Sequence, residues 1–476
     1  MTQPEKTTSR RDFLKTSTKF AAASALAGVA LPHVHAQGSD LLRVALVGCG
    51  GRGSGAAVDA MTAKKGSVKI AAMADVFEDR MNTSYNSLKG SDLKEFVEVN
   101  NDTKFIGFDA FKHAMDALKP GDIAIFATPL AFRWVHYQYA IEKKLNVFME
   151  KPLTADGPTS KIMLDLAKKA SDANLKSAVG LMSRHSRHLE QLKKHIEDGE
   201  IGDIVLMRGY RMHGPVGSMA SLPYKTQKLP GGDSNTELEY QIRRFHSFLW
   251  ASGGCFNDFY IHHIDHLCWM KGAWPVKAQG NGGRHYKNSP EGQPYVDQNF
   301  DSYSVEYTFE DGSKFNFEGR CMVGAEPRYY SYVHGSKGIA VASKANDCGG
   351  PSSTYRGQNT DSSKRIWQSK INEAEDGNPY VNEWRDFLDA IRNNKPYNEV
   401  PRGVQASVVS NMGRYACHTG QAISFDEMLN HEHRMAPGAD KFTRTSPAPL
   451  QADANGRYPQ PMPGITKDRE YGPAAA

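Results

Sequence analysis

The sequence is poor in cysteine and contains no closely spaced cysteine pair. Six cysteines are spread over 476 residues, and no two of them form a C-x-x-C motif. This distribution does not indicate a fold that is held together by disulfides. We therefore expect mostly free, buried thiols.

The sequence also has little net charge and, beyond its first segment, no long apolar run. The formal net charge is +5, and residues 1–36 hold five Lys/Arg and two Asp/Glu, so the remainder carries +5 − 3, or about +2. No basic stripe is left to bind phosphates, which excludes a nucleic-acid partner. No later apolar run is long enough to cross a bilayer, so we expect no membrane span in the mature protein.

The first segment does contain the pattern of an export signal. Adjacent arginines at Arg10 and Arg11 precede an apolar stretch at residues 20–32, and small residues end the segment at Ala36. The pattern predicts a twin-arginine signal peptide cleaved near Ala36, and hence a periplasmic protein exported by the Tat translocon. A disordered basic tail is the alternative. Because this route carries folded proteins, a nucleotide could be bound before export.

The most informative motif is a glycine-rich turn between two apolar runs. The first run spans residues 42–47, and the second ends at Asp75. Such a turn lets the backbone approach a pyrophosphate, and the following helix N-terminus attracts that anion. An acid after the second strand binds a ribose hydroxyl and repels a 2′-phosphate, so NAD is favoured over NADP. The turn residues that we assign to cofactor binding are Gly48, Gly50, Gly51, Arg52 and Gly53.

Alternating strand and helix patterns up to about residue 155 predict a doubly wound parallel sheet, that is, a Rossmann domain. Later β-rich runs joined by short turns predict a mostly antiparallel sheet. We therefore predict an α/β protein with a signal peptide, an NAD-binding domain, a second α/β domain whose helical end (379–435) packs back on the first domain, and an arm. The boundaries are 1–36, 37–158, 159–435 and 436–476.

Two strand ends carry candidate site residues. Thr128 and Pro129 follow one apolar strand, with His136 on the next helix, and Glu150-Lys151 ends another strand. Ligands bind at the carboxyl ends of parallel strands, so these residues are placed to contact a cofactor. Lys151 is also placed to exchange a proton with a hydroxyl or carbonyl. Ordinary strand-ending turns are the alternative at both places.

A third cluster lies on a later helix. Asp258, His262 and Asp265 follow spacings of four and three residues, which align them on one helical face. A carboxylate that orients an imidazole is suited to general-base chemistry. A zinc site that uses His262, His266 and Asp258 and simple structural hydrogen bonding are the alternatives. We favour acid–base chemistry and assign no metal.

Taken together, the glycine turn, the acid after the second strand, Ala-Thr-Pro, Glu-Lys-Pro and Asp-x-x-x-His-x-x-Asp resemble the Gfo/Idh/MocA oxidoreductases. The resemblance implies a C-terminal domain with a large open sheet that forms a homo-oligomer, a dimer or tetramer, and a sugar or polyol substrate. It assigns catalysis to Lys151, His262 and Asp258, and cofactor contacts to Glu150, Thr128, Pro129 and the glycine turn. Arg184, Tyr210 and His263 are added as substrate-binding candidates, as are Asp258 and His262.

The resemblance leaves several functions open. The exported members, which are like glucose–fructose oxidoreductase, imply a tightly bound and internally recycled NAD. A redox-neutral glycosidase or lyase that acts through a transient keto-sugar is one alternative, and a non-catalytic nucleotide- or sugar-binding protein is another. The chain departs from a minimal member in its C-terminal arm and in an insertion at residues 213–248. The insertion either covers the cleft or packs on a neighbouring subunit.

Overall fold

The computed structural model describes residues 41–64 and 67–472. The predicted signal segment and its cleavage site near Ala36 lie outside the described residues. Within the described residues, no helix is both long and apolar enough to cross a membrane. All six cysteines are free, and all but Cys348 are buried, as expected.

The first sheet is parallel and has the strand order β3-β2-β1-β4-β5-β6. This order confirms the predicted Rossmann-like sheet. It extends past the boundary predicted at residue 158, because β6 comes from later in the chain. The strands are Leu42–Val47 (β1), Val68–Asp75 (β2), Lys104–Ile106 (β3), Ile123–Phe126 (β4), Asn146–Met149 (β5) and Ser177–Val179 (β6).

Helices cover both faces of this sheet. Successive side chains of each strand point to opposite sides, so the apolar side chains on both faces must be buried. In β1, Val44 and Leu46 pack into one apolar core, whereas Ala45 and Val47 pack into the other. The two cores fix the helices relative to the strand ends that carry the site. The helices of this region are Gly51–Ala63 (α1), Glu78–Lys89 (α2), Ala110–Asp116 (α3), Arg133–Glu142 (α4) and Gly157–Asp172 (α5).

The second sheet is mixed but mostly antiparallel, as predicted. Its order is β14-β13-β12-β11-β7-β10-β9-β8-β15, and only β7 and β10 pair in parallel. The strands are Ile204–His213 (β7), Lys277–Gly283 (β8), Ser302–Thr308 (β9), Lys314–Cys321 (β10), Arg328–Gly335 (β11), Gly338–Lys344 (β12), Ser353–Arg356 (β13), Arg365–Gln368 (β14) and Ile423–Ser424 (β15).

One face of the second sheet packs on a nearly fully buried helix that carries the third candidate cluster. This helix, α9, ends at Gly272 in the left-handed conformation. Trp384 of a later helix, α11, stacks on Phe148 of β5 and so joins the chain's helical end to the first sheet. The helices are Arg187–Glu197 (α6), Glu237–Arg243 (α7), Leu249–Ser252 (α8), Gly254–Lys271 (α9), Glu373–Asp376 (α10), Pro379–Arg392 (α11), Val400–Thr419 (α12) and Phe425–Asn430 (α13).

The C-terminal arm lies on the protein's own surface rather than extending away from it. Near its end, the Glu470 carboxylate accepts hydrogen bonds from the Arg414 guanidinium at 2.8 and 2.7 Å and contacts His418 Nδ1 at 2.7 Å. All three side chains are buried. Although burial acts to raise the pKa of Glu470, Arg414 holds it well below its usual range. A buried charge that is paired in this way ties the arm to α12.

Candidate active site

The glycine turn connects β1 to α1 through a close backbone approach. Gly48 has φ of +94°, a conformation that favours glycine. A Cβ added at Gly53 would lie 1.9 Å from the Gly48 carbonyl oxygen, so no side chain fits there. A Cβ at Gly50 or Gly51 would meet no protein atom within 4 Å. The start of α1 therefore faces open space, with no side chain that caps its N–H groups.

Asp75 lies at the end of β2 and supports this turn. Its Oδ2 accepts a hydrogen bond from the Cys49 N–H at 2.7 Å, and its Oδ1 accepts one from the Phe77 N–H at 2.9 Å. Burial raises the pKa of Asp75, while these backbone donors oppose that shift. Each carboxylate oxygen has two lone pairs, so both can still accept a hydrogen bond from a ribose hydroxyl. Arg80 faces the same part of the cleft.

These elements border a cleft of about 560 Å³ at the carboxyl ends of the parallel strands. This size and its backbone-lined floor fit a dinucleotide better than a metal ion. Within the described residues, no group of three or more His, Cys, Asp or Glu side chains could hold a metal. The opposite wall comes from outside the first sheet: Ile242, Phe245 and His246 of the insertion, and Ala439, Asp440 and Phe442 of the arm.

Thr128, Pro129 and His136 also line the cleft. Thr128 Oγ1 lies 3.2 Å from His136 Nδ1, so the two side chains form one hydrogen-bonded unit. Burial, and secondarily Arg133, lowers the pKa of His136 to about 3. His136 is therefore neutral at neutral pH. A neutral pair that can both donate and accept is suited to bind a ring amide or a sugar hydroxyl.

Glu150 and Lys151 follow the end of β5 and are not among the residues that line the cleft, but Glu150 contacts Arg52 of its wall. Glu150 Oε1 lies 3.0 Å from Arg52 Nε, which joins the strand end to α1. A Cβ at Gly180 would lie 2.8 Å from Glu150 Oε2, so this glycine makes room for the carboxylate. Lys151 Nζ donates a hydrogen bond to the backbone oxygen of Asp258 at 2.6 Å. The strand end of the first sheet thus meets the N-terminal part of α9.

Asp258 faces Lys151 and the insertion rather than His262. Its Oδ1 lies 3.6 Å from Lys151 Nζ, and its Oδ2 lies 3.4 Å from His246 Nε2. No side-chain hydrogen bond or ion pair joins Asp258 to His262 in the part of the chain that the structure describes. The expected carboxylate–imidazole pair along one helical face is therefore not made, and the Asp258 oxygens contact Lys151 and His246 instead.

The carboxylate whose charge acts most strongly on His262 belongs to Asp347, in the loop after β12. Asp347 Oδ2 accepts hydrogen bonds from the Tyr329 hydroxyl at 2.6 Å and from Arg211 at 3.2 Å. Burial lowers the pKa of His262 to about 3, although Asp347 opposes that shift. His262 is therefore a neutral imidazole, and its Nδ1 has no partner among the described residues. His263 is also fully buried and stacks on Tyr329.

Two predicted substrate residues do not join this cluster. The Arg184 guanidinium makes a two-pronged pair with Asp265, at 2.9 and 2.8 Å, and lies between the rings of Trp269 and Trp274. Tyr210 packs against Tyr332 instead. Neighbouring strand residues point to opposite faces, so Arg211 rather than the predicted Tyr210 faces α9. Arg211 donates a hydrogen bond to the Phe259 carbonyl oxygen at 2.8 Å.

Sequence reasoning missed three polar residues of this region, and it named a fourth, His246, only among several hydroxyl-binding donors of the insertion. Arg80 lies only five residues after Asp75, and this short distance in the sequence could have indicated that both side chains face the cleft. Arg211 could have been found from the period of two along β7. His246 and Asp347 lie in an irregular insertion and in a loop, where no periodicity indicates which side chains turn inwards.

Comparison with known proteins adds a family match and a fold match. Residues 189–341 match the GFO/IDH/MocA C-terminal domain family, which supports the resemblance noted above. An inositol 2-dehydrogenase from Corynebacterium glutamicum (strain R) is 31% identical over 113 residues, which are 23% of this chain and 33% of that protein. The chain thus spans about a third of the length of the first curated relatives that it matches.

Solved structures match over most of the chain. Myo-inositol 2-dehydrogenase from Lactobacillus plantarum has a TM-score of 0.56 and 21% identity, covering 81% of this chain and 99% of that one. A levoglucosan dehydrogenase in complex with NADH has a TM-score of 0.61 and 18% identity, with the same coverage of 81% and 99%. At this level of identity the matches show a shared fold.

Proposed function

We propose that the protein is a Gfo/Idh/MocA-family oxidoreductase that uses a nicotinamide dinucleotide to oxidise a hydroxyl, or reduce a carbonyl, of a sugar or polyol. One observation carries the proposal. His246 lines the cleft at the glycine turn and contacts the same carboxylate as the partly buried Lys151 amine. The names of the relatives, inositol and levoglucosan dehydrogenases, support a polyhydroxylated substrate.

The residues of the chain would divide the work as follows. When bound, the dinucleotide supplies the hydride acceptor. Lys151 hydrogen-bonds the reacting hydroxyl and is the general base that takes its proton, while the carbon–hydrogen bond gives up the hydride and a carbonyl forms. His262, kept neutral by burial, is the second candidate proton acceptor. Asp258 holds Lys151 in place and stabilises the ammonium that results.

The proposal is tested on purified protein by mass spectrometry of bound nucleotide and by the absorbance of reduced nicotinamide while a panel of sugars and polyols is added. Bound NAD that becomes reduced supports the proposal. Release of an aglycone without net reduction would instead indicate the redox-neutral glycosidase or lyase. Tight sugar binding with no turnover of any sugar would indicate a binding protein.

Within this function we propose NAD rather than NADP as the cofactor. The Asp75 carboxylate lies at the end of β2, where the adenosine ribose of a dinucleotide would lie. Its charge opposes a 2′-phosphate. Arg80 faces the same part of the cleft and would partly offset this repulsion.

Replacement of Asp75 by Asn should therefore shift the nucleotide preference. Removing one like charge next to the 2′-position is expected to raise affinity for NADP relative to NAD about tenfold. Calorimetric titration with both nucleotides measures the ratio. Asp102→Asn, on an exposed turn outside the cleft, is the matched control. A wild-type protein that binds NADP more tightly would contradict the choice of cofactor.

We further propose that the cofactor is tightly held and recycled in place. The insertion is tied to α2 by an ion pair of 2.8 Å between Arg243 and Asp79. The arm covers the cleft with Phe442, whose ring packs edge-on against Phe132 and Trp250. A nucleotide in the cleft would be enclosed by both segments. Enclosure fits the proposed export of a folded protein, because the cofactor would travel with it.

Phe442→Ser should speed the escape of the nucleotide. Loss of this half-buried phenyl ring removes about 1.4 kcal/mol of packing, which corresponds to a dissociation rate faster by about tenfold. Stopped-flow displacement of the bound nucleotide by an excess of a fluorescent analogue measures this rate. Ile465→Ser, at a 77% exposed position of the same arm, is the control. Equal rates in both variants would show that the arm does not retain the cofactor.

A further inference from the structure

The insertion brings one imidazole to the Lys151–Asp258 pair. His246 Nε2 lies 3.4 Å from Asp258 Oδ2, whereas Lys151 Nζ lies 3.6 Å from Oδ1. The two nitrogens therefore contact different oxygens of one carboxylate. We propose that His246 is a positioning residue that fixes the Asp258 carboxylate against Lys151 during proton transfer. This inference rests on the proposed function.

The tautomer of His246 follows from its second nitrogen. The backbone N–H of Ser218 donates a hydrogen bond to Nδ1 at 3.3 Å, so Nδ1 carries no proton. The ring proton is then on Nε2, which points to Asp258. A neutral imidazole thus presents an N–H to the carboxylate at 3.4 Å and leaves its negative charge in place. The arrangement is that of an orienting partner rather than of a second base.

Packing holds the imidazole and the amine on the same aromatic ring. His246 stacks on Phe259 with centroids 5.4 Å apart, and Lys151 Nζ lies 5.8 Å from the centroid of that ring. The backbone oxygen of His246 accepts a hydrogen bond from Asn299 Nδ2 at 2.9 Å. His246 is therefore placed by side-chain packing and by its own backbone. Small displacements of this residue would be passed directly to the Asp258 carboxylate.

Burial, helped by three nearby cations, keeps His246 neutral in the working range. Burial lowers the pKa of His246 below its usual 6.5, and the cations Lys151, Arg244 and Arg80 lower it further, whereas Asp258 opposes them. Protonation in acid would place a proton on Nδ1, directly against the Ser218 N–H. The contact between residues 218 and 246 would then break. The positioning is therefore expected to be present at neutral pH and lost as the pH falls through this lowered pKa.

Two substitutions at one position test the proposal. His246→Leu should lower kcat about 100-fold, as a misplaced catalytic group does, and should change nucleotide affinity far less, because His246 is one of many residues that line the cleft. It should also remove the acid limb that His246 contributes to the pH profile of kcat. His246→Gln keeps an N–H donor at the place of Nε2 and should recover most of the loss. His285→Gln, at an exposed histidine outside the cleft, should leave all values unchanged.

Two other results would overturn the proposal. Wild-type kcat in His246→Leu would show that the imidazole does nothing in the reaction. A loss shared equally by kcat, nucleotide affinity and thermal midpoint, and not recovered by Gln, would show that His246 only holds the insertion. Both results leave the proposed function intact as long as the wild-type protein turns over. If the wild-type protein reduces no nucleotide with any polyol, the proposed function fails, and the role of His246 fails with it.

Discussion

Replacing Lys151 by Met should remove nearly all turnover while leaving nucleotide binding intact. The partly buried amine lies 3.6 Å from Asp258 Oδ1 and also donates a hydrogen bond to the Asp258 backbone oxygen. Methionine has a similar length but can neither accept a proton nor donate a hydrogen bond. Loss of a general base typically costs 10²- to 10⁴-fold, so we expect kcat to fall about 1,000-fold. Initial rates with a responding polyol measure the loss.

Two further variants, compared with Lys151→Met, make this result specific. Lys151→Arg keeps the positive charge but hardly ever deprotonates, so it should be nearly as inactive as the Met variant. Lys112→Met removes an exposed lysine of α3 and should have no effect. Nucleotide affinity and thermal midpoint should match the wild type in all three. Turnover in Lys151→Met within a few-fold of the wild type would contradict the assigned role and transfer proton acceptance to His262.

The sequence predicted the first sheet because its signals are local. An apolar run, a glycine turn and a helix pattern are contiguous in the chain, and strand ends in a parallel sheet lie at one edge. Thr128 and Glu150 therefore could be placed beside the cleft from their positions after strands. The same reasoning placed Lys151 near the edge, but it could not identify Asp258 as its partner. That pairing joins residues far apart in the sequence.

The second part of the chain was less predictable, for two physical reasons. The strands at residues 328–368 alternate weakly, since β12 is buried on both faces at most of its positions. In addition, the direction of single side chains within correctly predicted strands and helices depends on tertiary packing. To choose between Tyr210 and Arg211, one must know which face of β7 packs on α9. To choose between Asp258 and Asp347 as the partner of His262, one must know where the loop after β12 lies in the folded protein. Neither contact leaves a periodic signal.

The glycine turn offers a pair of substitutions whose effects should separate folding from nucleotide binding. Gly53→Ala would place a methyl group 1.9 Å from the Gly48 carbonyl oxygen, so β1 and α1 must move apart, at a cost of about 3 kcal/mol. Thermal midpoint and nucleotide affinity should both fall. Gly50 has φ of −72°, which alanine adopts without strain, and its added Cβ meets no protein atom. Gly50→Ala should therefore keep the midpoint and lose only the affinity, because the new methyl group occupies the place of the pyrophosphate. Unchanged nucleotide affinity in Gly50→Ala, measured by calorimetry, would show that no diphosphate binds at this turn.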